Sequence, residues 1–208
     1  MSQRPIMDAG PGINFFALNK ERLLFATLGA LAIPETVDAE IRRKSVQDQR
    51  FEAAGRVLGK IPQHLLEILS DDETPELSQA VSRISNLPMK QRMRSGKDLG
   101  ETMVVAHAAV TAENGGHIFV LIDDGAGRRM VASEQRRLER LRSNGRDVGS
   151  ISLLSTLGVL ERASGGEYLR ERHTAHDLYI KLRGLDDGLP PWESTRLGSL
   201  DCWRTREE

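Results

Sequence analysis

The sequence predicts an α/β fold with a central, mostly parallel sheet and an added helical segment. Three observations carry this. Ile118–Phe119–Val120–Leu121–Ile122 is an unbroken apolar run, the pattern of a strand buried on both faces of a parallel sheet. A largely apolar helical stretch around Met103–Val110 ends at Asn114–Gly115–Gly116 just before that run, and another helical stretch follows from about Gly127 to Arg142. Helix, tight turn, strand and helix in succession are the rhythm of βαβ units. Finally, two earlier short apolar runs, Pro5–Ile6–Met7 and Leu31–Ala32–Ile33, end abruptly at Asp8 and Pro34, as short strands do.

The remaining elements follow from period and punctuation. Ala9–Gly10–Pro11–Gly12 reads as a turn, followed by helical stretches containing Ile13, Phe16, Leu18, Leu23, Leu24 and Leu28. Val37 and Ile41 mark one face of the helix after Pro34. Residues 45–97 contain three amphipathic patterns: Phe51–Leu58, Leu65–Leu69, and Leu77, Val81 and Ile84. This segment is read as a helical insertion. Val148–Leu154 predicts an edge strand, and Thr156 caps a short helix that Gly165–Gly166 stops. Glu167–Leu182 predicts another helix, before a tail rich in Gly, Pro and charge. The division is an α/β domain over 1–165, with the insertion at about 45–97, and a C-terminal helix and irregular tail over 166–208.

The 208 residues suffice for one core of this kind. A formal net charge of -1 gives no global field toward nucleic acid or membrane. The single cysteine, Cys202, excludes a disulfide framework and a cysteine metal cage. No apolar run approaches the length of a membrane span, and the start of the chain lacks the apolar stretch of a signal peptide. A cytoplasmic location without membrane contact is the expectation.

Four acids occupy comparable chain positions. Asp8 and Asp124 follow strands, and Glu40 and Glu101 lie in the opening turns of helices. In a parallel sheet such positions converge at the carboxyl edge, where ligands bind. Clustered carboxylates repel one another and persist best around a cation. Oxygen-only ligands select a hard ion, Mg²⁺ or Mn²⁺. Asp123, beside Asp124, is an auxiliary member.

Five segments in order resemble the PIN (PilT N-terminal) domain family. Met7–Asp8–Ala9–Gly10–Pro11–Gly12–Ile13–Asn14 is similar to its first motif, and Ile33–Pro34–Glu35–Thr36–Val37–Asp38–Ala39–Glu40–Ile41 to its second. Leu99–Gly100–Glu101–Thr102 and the apolar residues after it resemble the third, and Leu121–Ile122–Asp123–Asp124–Gly125 the fourth. Ser155–Thr156–Leu157–Gly158 is similar to a Gly–Thr–Leu–Gly segment of one branch. The resemblance implies a three-layer sandwich and a metal-dependent ribonuclease, in many members the toxin of a toxin–antitoxin pair. It implies that Asp8, Glu40, Glu101 and Asp124 are catalytic and hold Mg²⁺, with Mn²⁺ able to substitute and Asp123 assisting. Hydrolysis would leave a 5′-phosphate and a 3′-hydroxyl. Asn14 and Ser155 become substrate or supporting groups. Ile122 stands where many members carry Thr or Ser, and Ser155 stands where Gly is usual.

Between Arg128 and Arg146 seven arginines face only two glutamates. Arg128 and Arg129, nearest Asp124, are the candidate phosphate contacts. The competing description is a solvated helix face. The expected partners are single-stranded or structured RNA, an antitoxin protein that plugs the acidic groove, and a second copy through the 45–97 helices. The alternative function is a catalytically weak PIN-like module that binds RNA or protein. His107, in an apolar helix, reads as packed rather than catalytic.

Overall fold

The first strand, β1 (Ile6–Met7), is two residues long and wholly buried, and the sheet is built outward from it. The structure is a computed structural model that describes residues 3–186 and 188–206. Helices α1 (Ala9–Ala17) and α2 (Glu21–Leu28) lead to β2 (Leu31–Pro34). Then α3 (Glu35–Gln47) and α4 (Glu52–Leu58) lead to β3 (Leu66–Leu69). Helices α5 (Pro75–Ser85), α6 (Met89–Arg92) and α7 (Leu99–Glu113) return the chain to β4 (His117–Leu121), and α8 (Gly125–Ser143) leads to β5 (Ser150–Leu154). Helices α9 (Thr156–Ala163) and α10 (Arg172–Leu185) and three short 3-10 turns complete the described chain.

The five strands run in the order β3-β2-β1-β4-β5, and every pairing is parallel. This is an α/β fold with a parallel central sheet surrounded by helices. The chain moves outward through β2 and β3, then crosses back past β1 to β4 and β5. The order therefore reverses between β1 and β4, which opens a crevice at their carboxyl ends.

Helix α7 is the centre of the core. Nine of its fifteen residues are buried, so it has no solvent face to orient it, and contacts on all sides hold it instead. Burying Met103, Val104 and Val105 contributes about 1.5–3 kcal/mol each. Its start is held by Arg92, itself buried, which donates to the carbonyls of Ser95 and Lys97 and to Thr102 Oγ1. Further along, His107 Nε2 lies 2.9 Å from Asp71 Oδ1. Asp71 also accepts from the backbone N–H of Thr36 and from its hydroxyl. Burial pushes the Asp71 carboxyl up, but the bonds from His107 and Thr36 outweigh it and hold the group below its usual range. His107 is thus a packing and hydrogen-bonding residue between α7 and the β3 end.

Three sequence expectations change. Leu65–Leu69, read as helical, is largely strand β3, paired with β2 from Leu66 to Leu69. Four residues are too few for periodicity to separate strand from helix, and the exposed edge of β2 supplies the backbone partners. The insertion at 45–97 is thus not all helix. The β4 run is not buried on both faces: Phe119 is 39% exposed, under the Arg162 guanidinium at 5.1 Å from its ring centre. Ala9–Gly12 is already the first turn of α1, where Pro11 loses no helical bond because first-turn N–H groups have no intrahelical partner. Of the two arrangements open to the irregular tail, packed on the domain or extending from it, the described part takes the first, with Trp192, Leu197 and Trp203 buried against the core. The apolar faces of α4 and α5, open in the sequence to a second copy or to the chain's own core, bury Ala54, Leu58, Leu77 and Val81 within the chain.

Gly149, just before β5, shows how closely two turns approach. A side-chain carbon there would sit 1.8 Å from the Gly116 carbonyl oxygen, at the turn that feeds β4. Gly149→Ala must therefore part these turns and is expected to cost about 3 kcal/mol in urea unfolding. Gly96→Ala, with nothing within 4 Å, should change stability by less than about 0.5 kcal/mol. Equal effects of the two would contradict this packing.

Candidate functional site

The carboxyl ends of the three strands beside the crevice are tied together by backbone bonds. The N–H of Asp8 donates to Leu121 O at 3.0 Å, and that of Ile122 to Leu154 O at 3.1 Å. The residues that leave β1, β4 and β5 therefore emerge side by side: Asp8, then Asp123 and Asp124, then Ser155. They line a cleft of about 770 Å³ together with Glu40 and Glu101.

Asp8 caps α1, with Oδ2 accepting from Gly10 N–H at a long 3.5 Å. Its other oxygen, Oδ1, is buried and, among the described residues, has no hydrogen-bond partner. The residue is only 4% exposed. Burial, reinforced by the charges of Glu101 and Glu40, pushes its pKa up to about 7. Glu101 lies in the first turn of α7 and is likewise raised, mainly by burial, with Glu40, Asp98 and Asp124 adding repulsion. Gly100 makes room for this convergence. A side-chain carbon there would lie 3.0 Å from Glu40 Oε2 and 3.3 Å from Asp8 Oδ1, so both carboxylates reach the same bare helix turn. Gly127 does the same for α8, whose backbone packs directly on Ile122 and Glu101.

The remaining predicted residues divide. Glu40 sits in the second turn of α3, because that helix begins at Glu35, and pairs with Lys44 at 2.7 Å. Asp124 is exposed and caps α8, accepting from Ala126 N–H at 2.6 Å and Gly127 N–H at 3.4 Å. Asp123 is the more buried of the pair and accepts from Thr156 N–H at 2.8 Å and from its hydroxyl at 2.5 Å. Burial raises its pKa; Asp186 adds to this, while the Thr156 bonds and Arg128 offset it. Asn14 is buried and donates to Asp186 Oδ2 at 3.0 Å. Ser155 caps α9 through Gly158 N–H at 3.2 Å. Arg128 reaches the cleft, but Arg129 does not line it.

Two charged lining residues were missed by sequence reasoning. Lys44 lies one helical turn after Glu40, a visible i,i+4 pair that was not used. Asp186 leaves the end of α10 and had no local signal, because its tie to Asn14 spans 172 positions. The cleft thus has six carboxylates facing Lys44 and Arg128. The basic segment does not act as a block: Arg137 is held by Glu113 and Glu134, and Arg142 by Glu139 and the Gly149 carbonyl. Among the described residues no group of three or more His, Cys, Asp or Glu is placed as a set that could hold a metal ion, although six acids line the one cleft and neighbouring carboxylates add to the raised pKa of Asp8 and Glu101. Nor, among the described residues, is any helix long and apolar enough to cross a membrane. The chain matches no family model, no curated protein and no solved structure.

The raised pKa of Asp8 has a consequence for stability. The unfolded carboxyl ionises near 3.8, and the folded one near 7. Below about pH 4 both states hold the proton and the stability is full. As pH rises toward about 7 the folded state binds more protons than the unfolded one, so stability falls, by up to about 4 kcal/mol, and then levels. Glu101 and Asp123 slope the same way, and Asp71 the opposite way, so comparison with Asp8→Asn isolates this group. Urea unfolding in EDTA should show a markedly flatter decline between about pH 4 and 7 in the variant. Equal slopes would contradict the burial argument.

Proposed function

We propose that the protein is a divalent-metal-dependent ribonuclease on a PIN-like three-layer sandwich, and that the cleft at the carboxyl edge is its active site. The observation that carries this reading is Asp8: a buried carboxylate with one oxygen left without a partner, beside Glu101 and Glu40, at the point where strand order reverses. An unpaired buried carboxylate oxygen costs on the order of 1–3 kcal/mol and calls for an explanation. A cation balancing the acids is the simplest.

The donor set fits a hard divalent ion, being all oxygen. Asp8, Glu101, Glu40 and Asp124 would hold it, with Asp123 supporting from its anchor on Thr156. Bound there, Mg²⁺ or Mn²⁺ supplies Lewis-acid polarisation of a phosphate oxygen and lowers the pKa of water. The spread of these acids accords with their charge, since uncompensated carboxylates separate, and Glu40 has Lys44 as a substitute counter-ion. Gly100 keeps the floor bare, so Asp8 and Glu40 can close on a shared ion without meeting a side chain. Arg128 stands where it can pair with a phosphate, and Asn14, held by Asp186, presents a fixed amide beside Asp8.

A second reading, a PIN-like module that binds RNA or protein without cleaving it, is favoured by two observations. Glu40 is engaged by Lys44, and Asp124 is satisfied as a helix cap. The two readings part in one assay. The ribonuclease should cleave single-stranded RNA in Mn²⁺ or Mg²⁺ and stop in EDTA. Asp8→Asn and Glu101→Gln should each lower the rate by at least about a hundred-fold, since changes even outside the ligand set cost ten- to a hundred-fold. Calorimetric Mn²⁺ binding should weaken in parallel, with far-UV circular dichroism unchanged. Unaltered cleavage in both variants would overturn the reading, and RNA binding without cleavage would favour the second.

A further inference from the structure

The acidic cleft opens at the carboxyl ends of the strands. At their amino ends, where Leu31 N–H donates to Leu65 O to begin the β2–β3 pairing, the surface has the opposite charge. A cavity of about 650 Å³ opens there, between α2, the end of α4 with the turn after it, and Tyr168. That volume takes a small organic ligand or a few side chains of a peptide. Sites at opposite edges of one sheet can be filled together, so an occupant here leaves the acidic cleft open.

Its wall is largely apolar. Phe25, Ile61 and Leu65 are half-buried, and Tyr168 is 39% exposed. Three exposed cations stand with them: Arg22 on α2, Arg56 on α4 and Lys60 just past its end. Among the described residues none of the three makes an ion pair or a side-chain hydrogen bond. Arg56 and Lys60 lie about one turn apart, roughly 6 Å, and Arg22 belongs to another helix, so the charge is spread along the rim. Glu21 is the one acid among the described lining residues, which leaves three cations against one carboxylate. Its Oε2 is buried and, among the described residues, has no hydrogen-bond partner. An oxygen in that state calls for a donor.

We propose that this cavity docks a partner protein through a peptide segment in which apolar side chains are flanked by acidic ones. Charge complementarity selects that occupant. Cations on two elements match acids at more than one point along a chain, and the apolar wall between charged groups matches leucine or aromatic side chains. Arg and Tyr are the residue types that anchor such contacts. Glu21 narrows the choice further. An alkyl carboxylate would bring it more negative charge and no donor, whereas a peptide main chain brings N–H groups. A nucleic acid would set a phosphate at every step against Glu21 and leave the apolar wall with little to cover it. The partner is held at the amino edge of the sheet, away from the acidic cleft, and so differs from one that plugs the cleft. The inference goes beyond the ribonuclease reading and does not rest on it.

The test titrates the full chain, in EDTA and without RNA, into a short fluorescein-labelled peptide of leucine and phenylalanine flanked on both sides by glutamates. Anisotropy should rise saturably, with affinity falling as salt is added. A peptide of glutamates alone should bind at least about tenfold more weakly, having no apolar side chain to bury. Tyr168→Ala should weaken binding by about fivefold or more, and Arg56→Ala/Lys60→Ala by about tenfold. Arg56→Glu/Lys60→Glu should lose the acidic peptide and gain one with lysines in place of the glutamates, a swap that a misfolded chain would not make. Absence of saturable binding by the parent would overturn the proposal, as would a charge-reversed variant that still prefers the acidic peptide. Octanoate displacing the peptide at the peptide's own concentration would overturn it in favour of a small organic anion, and single-stranded RNA doing so would make the cavity a nucleic-acid site. Because the readout uses neither metal nor hydrolysis, loss of the ribonuclease reading leaves it standing, and its own failure leaves that reading untouched.

Discussion

The hydrogen bond from Asp8 N–H to the Leu121 carbonyl sets the register between the ends of β1 and β4, and the rest of the cleft depends on it. With β1 only two residues long, that bond carries the parallel ladder one residue beyond the strand. It draws Asp8 into the crevice where strand order reverses, and there the carboxyl is buried without a full set of donors. Because β4 and β5 are in turn joined by Ile122 to Leu154, Asp123 is held next to Thr156, and α8 and α9 begin on either side of the same opening. Burial then does the electrostatic work: it raises Asp8 and Glu101 more than any neighbouring charge does.

Glycine is the second constraint. Gly100 and Gly127 sit where helix backbones press against the acids, and at both positions a side chain would be crowded by what it met. The first leaves Glu40 and Asp8 facing one helix turn. The second lets α8 rest on Glu101. Arg92 then fixes the loop from which α7 starts, so that Glu101 is presented by a rigid end.

Much was readable in the chain. The strands at 6–7, 31–34 and 150–154 and the helices near 101–113 and 127–142 follow from short apolar runs, helical period and stop residues. Asp8, Glu40, Glu101 and Asp124 were singled out from chain position, and the fold brings all four to one cleft. The misses share a cause. Residues 66–69 form a strand because β2 has a free edge, which no four-residue pattern announces. Asp186 joins the cleft through a partner 172 positions away, and Lys44 was visible as spacing but not as chemistry.

By itself the sequence determined the α/β class, the parallel direction implied by alternating helix and strand, and which acids end strands or open helices, because these depend on local period and punctuation. Only the tertiary structure decided how those acids differ. Asp8 is buried with an oxygen unpaired; Asp124 is exposed and satisfied as a cap; Asp123 is clasped by Thr156; Glu40 leans on Lys44. Such differences arise from burial and from partners distant in the chain, and neither quantity is carried by neighbouring residues.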